Sequence, residues 1–296
     1  MRIFVTGSAS HLAQALLPKL CAHPGIASVI GIDLQAARFA HPKFAHHIAD
    51  MRSDAIPQLL HGCDALVHLA FVVLRGKMDA STMHDINVKG SRKVFESARA
   101  AGMQKLLHLS SAAVYGSGEH LTESAPLQPL AGFLYAQHKA EAEAWMARDF
   151  PEAVRLRPHI ILGPHCQPLL KQLLRQSCYI RLPEPQPRLQ CVHEDDVAEA
   201  IVAGLLLPVR GPFNLAASGS YSFKEAISAR HHRSLPLPFG LTRLALKLAR
   251  QATGFGGEAA WLNGIRHPLT LDSGRAQREL RWRPQFDARA TLASVK

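Results

Sequence analysis

The opening residues constrain this chain more than any other stretch. Ile3 to Thr6 is a short apolar run of strand character, Gly7 interrupts it, and Leu12 to Cys21 then repeats apolar residues at helical spacing. The same alternation recurs along the first half. Strand-like runs fall at Ser28 to Asp33, Ala65 to Ala70 and Leu106 to Ser110, and helical stretches at Asp54 to His61 and Met83 to Ala101. A further helix over about Leu134 to Arg148 leads into a strand at Ala153 to Arg157. Strands that alternate with helices predict an α/β fold built on a doubly wound parallel sheet.

After Pro158 the rhythm breaks. Prolines cluster at Pro183, Pro185, Pro187, Pro208, Pro212, Pro236 and Pro238, which fits excursions and loops better than continued strand–helix units. The expected division is a doubly wound domain over 1–157 and a smaller, irregular lobe over 158–296, with some segments of the latter returning to the first domain. With 296 residues the chain can bury a large core.

Charge is uneven. Residues 1–150 carry 14 lysines and arginines against 12 acids, a net of +2, whereas residues 151–296 carry 20 against 11, a net of +9. A basic distal half suits an anionic small molecule or solubility. Aromatic residues make up only 6% of the chain, too few for a stacking nucleic-acid surface. No apolar run reaches the ~18–20 residues that cross a bilayer, and the start does not read as a signal peptide, so the expected location is cytoplasmic. The five cysteines are scattered and read as reduced thiols. The 17 histidines show no metal-ligand spacing and read as surface residues, so no metal is expected.

Two further clusters carry the chemistry. Ser110-Ser111 closes an apolar strand, and 24 residues after Ser111 comes Tyr135-Ala136-Gln137-His138-Lys139. Tyrosine at i and lysine at i+4 share one helix face. A nearby ammonium stabilises a phenolate and lowers its pKa from about 10, so Lys139 is expected to depress Tyr135. A serine hydroxyl can hold the same substrate oxygen against the tyrosine. The segment Val5-Thr6-Gly7-Ser8-Ala9-Ser10-His11-Leu12-Ala13 supplies the place where a dinucleotide diphosphate meets the N–H groups of a helix start. Asp33, at the end of the next strand, can accept from ribose hydroxyls and would repel a 2′-phosphate, which predicts NAD rather than NADP. His193-Glu194-Asp195-Asp196 reads as a carboxylate cap on a helix starting near Val197. Leu241 to Arg250 reads as a basic amphipathic helix that buries one face, with Gly254, Gly256 and Gly257 behind it as a candidate lid.

Taken together, these residues resemble the extended short-chain dehydrogenases/reductases, the NAD-dependent epimerase/dehydratase group. The resemblance runs through Gly7, Asp33, Asp50-Met51-Arg52, Val67-His68-Leu69-Ala70, Asn87-Val88-Lys89-Gly90, Ser110-Ser111 with Val114-Tyr115-Gly116, Tyr135 with Lys139, Arg157-Pro158, Gly163-Pro164 and Val192 to Val197, and ends near Leu280 to Pro284. It implies a Rossmann-type fold and NAD as cofactor. It places Asp50 and Met51 beside the adenine, makes Leu69 and Ala70 part of the cofactor groove, gives Asn87 a supporting role, and selects Ser111 over Ser110 as the catalytic serine. The implied cofactor set is Gly7, Ser10, His11, Leu12, Asp33, Asp50, Met51, Leu69, Ala70, Asn87, Tyr135, Lys139 and Pro158.

Departures from the family pattern are informative. The second and third glycines of the phosphate loop are Ser10 and Ala13 here. The serine Cβ enters the closest backbone–diphosphate approach, while its hydroxyl could donate to a phosphate and His11 could add charge. Nucleotide-sugar epimerases usually carry an asparagine where this chain has Ile160, so one contact to a substrate diphosphate is missing. The expected substrate is therefore a non-nucleotide, sterol-like secondary alcohol or ketone, with Arg188 a candidate contact should the substrate be anionic. Competing readings are a nucleotide-sugar epimerase or dehydratase and a non-catalytic dinucleotide-binding regulator. The expected partner is a small molecule, with no nucleic acid and no membrane surface, and a homodimer is the assembly to test for.

Overall fold

Helices cover both faces of a parallel sheet, so its strands are apolar at nearly every position rather than at alternate ones. Strand β1 (Arg2–Thr6) shows this, with everything after Arg2 buried. The computed structural model describes residues 1–74, 76–229, 231, 234–242, 244 and 264–295. The chain continues through α1 (His11–Ala22), β2 (Ser28–Asp33), β3 (Phe44–Ile48), α2 (Ile56–Leu60), β4 (Ala65–His68), α3 (Ala80–His84), α4 (Ser91–Ala100) and β5 (Lys105–Leu109). Then follow β6 (Gly118–Leu121), α5 (Leu134–Asp149), β7 (Val154–Pro158), β8 (Ile160–Leu162), α6 (Pro168–Arg175), β9 (Cys178–Arg181), β10 (Cys191–His193), α7 (Glu194–Leu206) and β11 (Gly211–Leu215).

Seven strands form the main sheet in the order β11-β7-β5-β4-β1-β2-β3, and every pairing is parallel. The order reverses between β1 and β4, which opens a crevice at their carboxyl ends. Alternate side chains of β1 face opposite layers: Ile3 and Val5 pack with α1 and α7, and Phe4 with α2, α4 and α5. This is the expected Rossmann-type α/β architecture.

Several boundaries differ from the sequence reading. The edge strand β3 was not anticipated, because Phe-Ala-His-His-Ile is half exposed and carries no apolar run. The helix expected over Met83 to Ala101 is broken by a π-helical segment, Asp85–Gly90. That extra residue per turn rephases the faces and brings Asn87 inward, where it is fully buried. The segments after Pro158 that were expected to return to the first domain include α7, which joins the α1 layer, and β11, which extends the main sheet beside β7. The lobe has its own apolar cluster, with Leu162, Leu174, Leu189, Phe223 and Ile265 among its members. It is tied by short pairs, β10 with β8 and β9 with Leu235–Pro238. Most of the helix read at Leu241 to Arg250, and the glycines after it, lie outside the described residues. No described helix is long and apolar enough to cross a membrane.

Candidate active site

Gly7 sits where β1 and β4 diverge, with φ of +76°. A Cβ there would stand 2.6 Å from the Ala70 nitrogen, so only glycine lets the two strand ends meet this closely. The Gly7 and Ser8 N–H groups both donate to Ile32 at the end of β2. Asp33, one residue on, accepts from the Ala9 N–H at 3.0 Å and the Gln35 N–H at 3.2 Å, which fixes its carboxylate beside the loop. Ser10 caps α1, and its Oγ accepts from Ala13 N–H at 3.4 Å, leaving its own O–H to donate. The N–H groups of His11 and Leu12 fall in the first turn, where no intrahelical acceptor exists.

His11 is shifted away from the charged form. Burial holds its pKa down, and the nearby Arg38 and Lys171 push the same way against Glu194 and a hydrogen bond to the His165 backbone. Leu69 follows β4 into the same region, and its N–H donates to Thr6. Asn87 clamps the segment beyond: its Oδ1 accepts from Val72 N–H at 2.7 Å and its Nδ2 donates to Val72 O at 2.9 Å. Asp50 is held by Arg52, whose guanidinium also reaches Asp85, and this pairing lowers the Asp50 pKa. Met51 is buried in the α2–α4 core.

Tyr135 and Lys139 stand one turn apart at the start of α5. Lys139 is buried, its Nζ donating to Leu109 O at 2.5 Å and lying 3.6 Å above the centre of the Phe71 ring. Phe71 meets the Tyr135 ring edge-on. The Tyr135 phenol hydrogen-bonds Ser111, while Ser110 donates its proton to Glu143. The two adjacent serines therefore face different neighbours, and Ser111 is the one beside the tyrosine.

In the pocket by itself, burial rather than the Lys139 charge sets the direction of the Tyr135 shift. Burial raises the Tyr135 pKa, with the Ser111 hydrogen bond opposing, and burial drives Lys139 well below its ordinary value, with Glu143 opposing. Both groups share one dry pocket, and desolvation disfavours phenolate and ammonium alike. Glu143 was not singled out from the sequence, although it lies one helical turn after Lys139. Its carboxylate is almost fully buried and accepts from Arg157 Nε at 2.8 Å. Arg157 donates in turn to the Tyr115 hydroxyl at 2.6 Å, which donates to Asn214 on β11 at 2.7 Å. This network floors the site.

A cavity of about 420 Å³ joins the two ends. Ser10, His11, Leu12, Leu69, Ser111, Tyr135, Lys139 and Pro158 line it. Gly7, Asp33, Asp50, Met51, Ala70 and Asn87 do not, standing behind the lining or farther along the carboxyl edge. Arg188 also stays outside, bound to Glu225 and Ser220. The acidic run after β10 behaves differently from a cap. His193 is the N-cap of α7 and its Nδ1 accepts from Asp195 N–H. Glu194 and Asp196 lie inside the first turn and accept from His165 and from the Gln285 and Phe286 N–H groups. Most described histidines are exposed or half-buried, as expected, but five are not. His68, His108, His138, His159 and His193 are buried, and among the described residues no group of three or more histidines, cysteines and acids could hold a metal.

The sequence profile of the NAD dependent epimerase/dehydratase family matches residues 3–216. The chain belongs to that family. It is an NAD-dependent enzyme of the extended short-chain dehydrogenase/reductase type, and NAD is its cofactor. It is 32% identical over 185 residues to a 4-hydroxy-2-methyl-3-oxo-4-farnesyl-3,4-dihydroquinoline-1-oxide ketoreductase of Stigmatella aurantiaca, covering 59% of this chain and 54% of that one. It is 30% identical over 178 residues to sterol demethylase protein B of Methylococcus capsulatus, covering 55% and 52%. The crystal structure of MoeE5 with UDP-glucuronic acid and NAD superposes with a TM-score of 0.77 at 19% identity, over 100% of this chain and 97% of that one, a likeness of fold.

Proposed function

We propose that this enzyme moves hydride at a secondary alcohol or ketone of an apolar, non-nucleotide substrate of sterol-like character. The observation that carries the reading is the cavity wall beyond Tyr135. Leu130, Phe133, Ile160, Leu170, Leu189 and Leu269 form it. Lys139 is the one lysine or arginine among its described lining residues, and it is already engaged by Leu109 and Phe71. A nucleotide diphosphate entering there would lose water without gaining a cationic partner among the described residues. The ketoreductase and the sterol demethylase protein named above act on apolar molecules by their names, which supports the same reading.

The residues present fit the cofactor. Gly7 makes the close approach, α1 offers N–H groups, and the cavity runs from these to Tyr135. In this reading Gly7, Ser10, His11 and Leu12 face the diphosphate, Asp33 accepts from the adenosine ribose, and Asp50 and Met51 flank the adenine. Leu69, Ala70 and Pro158 border the groove, Asn87 holds its wall in place, and Lys139 holds the nicotinamide ribose. NAD supplies the hydride acceptor or donor next to the substrate carbon. Ser111 orients the substrate oxygen and Tyr135 exchanges a proton with it. Burial raises the Tyr135 pKa, so the phenol holds a proton that it can give to a forming alkoxide when the substrate is a ketone.

The test is a panel of apolar ketones, steroid ketones included, assayed by NADH consumption beside thermal-shift titration with UDP-, GDP- and dTDP-sugars in the presence of NAD. Turnover of apolar ketones with no stabilisation by the sugars is expected. Saturable stabilisation by a nucleotide sugar with no ketone turnover would overturn the reading in favour of an epimerase or dehydratase.

A further inference from the structure

His165 and Glu194 form a pair that neither the catalytic set nor the phosphate loop accounts for. Glu194 is buried at the start of α7, and its Oε1 accepts from the His165 ring Nδ1 at 2.6 Å. Both of its oxygens also receive the His165 backbone N–H, at 3.0 and 3.1 Å. The loop is shaped for this grip. Gly163 has φ of +153° and a Cβ there would stand 2.5 Å from the Glu194 carboxyl carbon, so a larger residue would push the loop off the carboxylate. Lys171 on α6 donates to the carbonyl of Pro164, the residue before His165.

The pair sits at the cofactor end of the cavity. His165 and Glu194 line it together with Ser10, His11 and Leu12. The His11 ring hydrogen-bonds the His165 backbone, so the loop carrying His165 lies across the first turn of α1. Glu194 takes up Nδ1, which leaves Nε2 as the nitrogen able to meet a ligand, and no described group bonds to it. With both nitrogens protonated, an imidazole donates on each side, one bond to Glu194 and one into the cavity. The His11 ring is turned to the His165 backbone instead, and burial and the neighbouring cations lower its pKa.

We infer that His165, aimed by Glu194, donates from Nε2 to the diphosphate of the bound dinucleotide, closing the cofactor site from the lobe side. The loop thereby regains a contact on a helix start where Ser10 and Ala13 replace glycines. Glu194 acts as a positioning residue, because both of its oxygens are turned to His165 rather than to the ligand.

Direct binding tests this without any turnover. NADH and ADP-ribose carry the diphosphate, whereas adenosine does not, and each can be titrated against the whole protein by fluorescence, calorimetry or competition. A charge-assisted hydrogen bond contributes enough that its loss weakens binding by about 10-fold. His165→Phe keeps a ring but no donor, so it should weaken NADH and ADP-ribose to that extent and leave adenosine unchanged. Glu194→Gln should act in the same direction with a smaller loss, and His165→Lys should recover part of the affinity and its salt dependence. Unchanged NADH and ADP-ribose affinity in a folded His165→Phe protein would overturn the inference, and so would an equal loss on adenosine.

Discussion

The sheet edge and the lobe above it are built in different ways. At the edge, Tyr135, Lys139 and Ser111 rest on a floor of paired buried groups, Glu143 with Arg157 and Tyr115 with Asn214. The lobe closes over them with short strand pairs and aliphatic side chains. Buried charges demand fixed geometry, since an unpaired one is costly, while aliphatic walls tolerate exchange among shapes of similar volume. Under the proposed function, the contrast teaches that reaction type is held in the rigid edge, and choice of substrate in the wall that can change most cheaply.

The strongest way to break this contrast is at the proposed proton carrier. Tyr135→Phe should lower kcat by about 10²–10⁴-fold and leave NADH affinity and unfolding free energy nearly unchanged. Steady-state rates on an identified ketone, with NADH titration beside them, measure it, and near-normal turnover would remove Tyr135 from the mechanism. Next in size is the floor. Glu143→Ala leaves Arg157 and Arg155 with no opposing carboxylate, and breaking such a buried pair costs about 3–5 kcal/mol. Urea unfolding should register that loss, whereas a lobe substitution such as Leu170→Ala, at a partly exposed position, should cost clearly less.

A third prediction uses acidity to compare the regions. Burial lowers His68, on β4, to about 3, and His159, between β7 and β8, to about 4. Each is neutral in the folded protein, while an unfolded histidine titrates near 6.5. The fold therefore binds fewer protons than the unfolded chain below that value, and the contribution present above pH 6.5 is lost as pH falls. The unfolding free energy should be level above pH 7 and drop by about 2 kcal/mol per histidine between pH 6.5 and 5. Replacing His159 by Gln should remove one share of that slope. A flat profile in this window would mean that neither ring is held neutral. The smallest effect belongs to the lobe: Ile160→Asn should reduce kcat/KM on an apolar ketone by about 10-fold, with little change in stability or in NADH binding.

The sheet, the cofactor loop and the Tyr135–Lys139 pair were legible because each is written in local spacing. Glycine after a strand and a residue four places along a helix are features that the chain displays in one stretch. The buried histidines were misread because burial is decided by distant partners: His68 is satisfied by Thr6 and Ser91, 62 and 23 residues away. Glu143 could have been found, since it continues the face shared by Tyr135 and Lys139, but its partner Arg157 comes from another element. Phe71 carried no signal at all. Its place over Lys139 follows from the Asn87 clamp on Val72, and that clamp depends on a π-helical segment that ordinary helical periodicity does not reveal. His165 was hidden for the same reason, because Glu194 was read with its own helix and not with a loop 29 residues earlier.

Asn214 has a consequence in time as well as in space. It reaches back 99 residues to Tyr115, and it sits on the last strand to join the sheet. During synthesis Ser111, Tyr135 and Lys139 are all made before it, yet the floor beneath them stays open on one side and β7 remains a bare edge open to wrong pairing. A nascent chain released at residue 157 would hold the whole proposed catalytic set and still lack the strand that carries Asn214. The sheet is thus completed late, with β11, and until then its β7 edge is the exposed one.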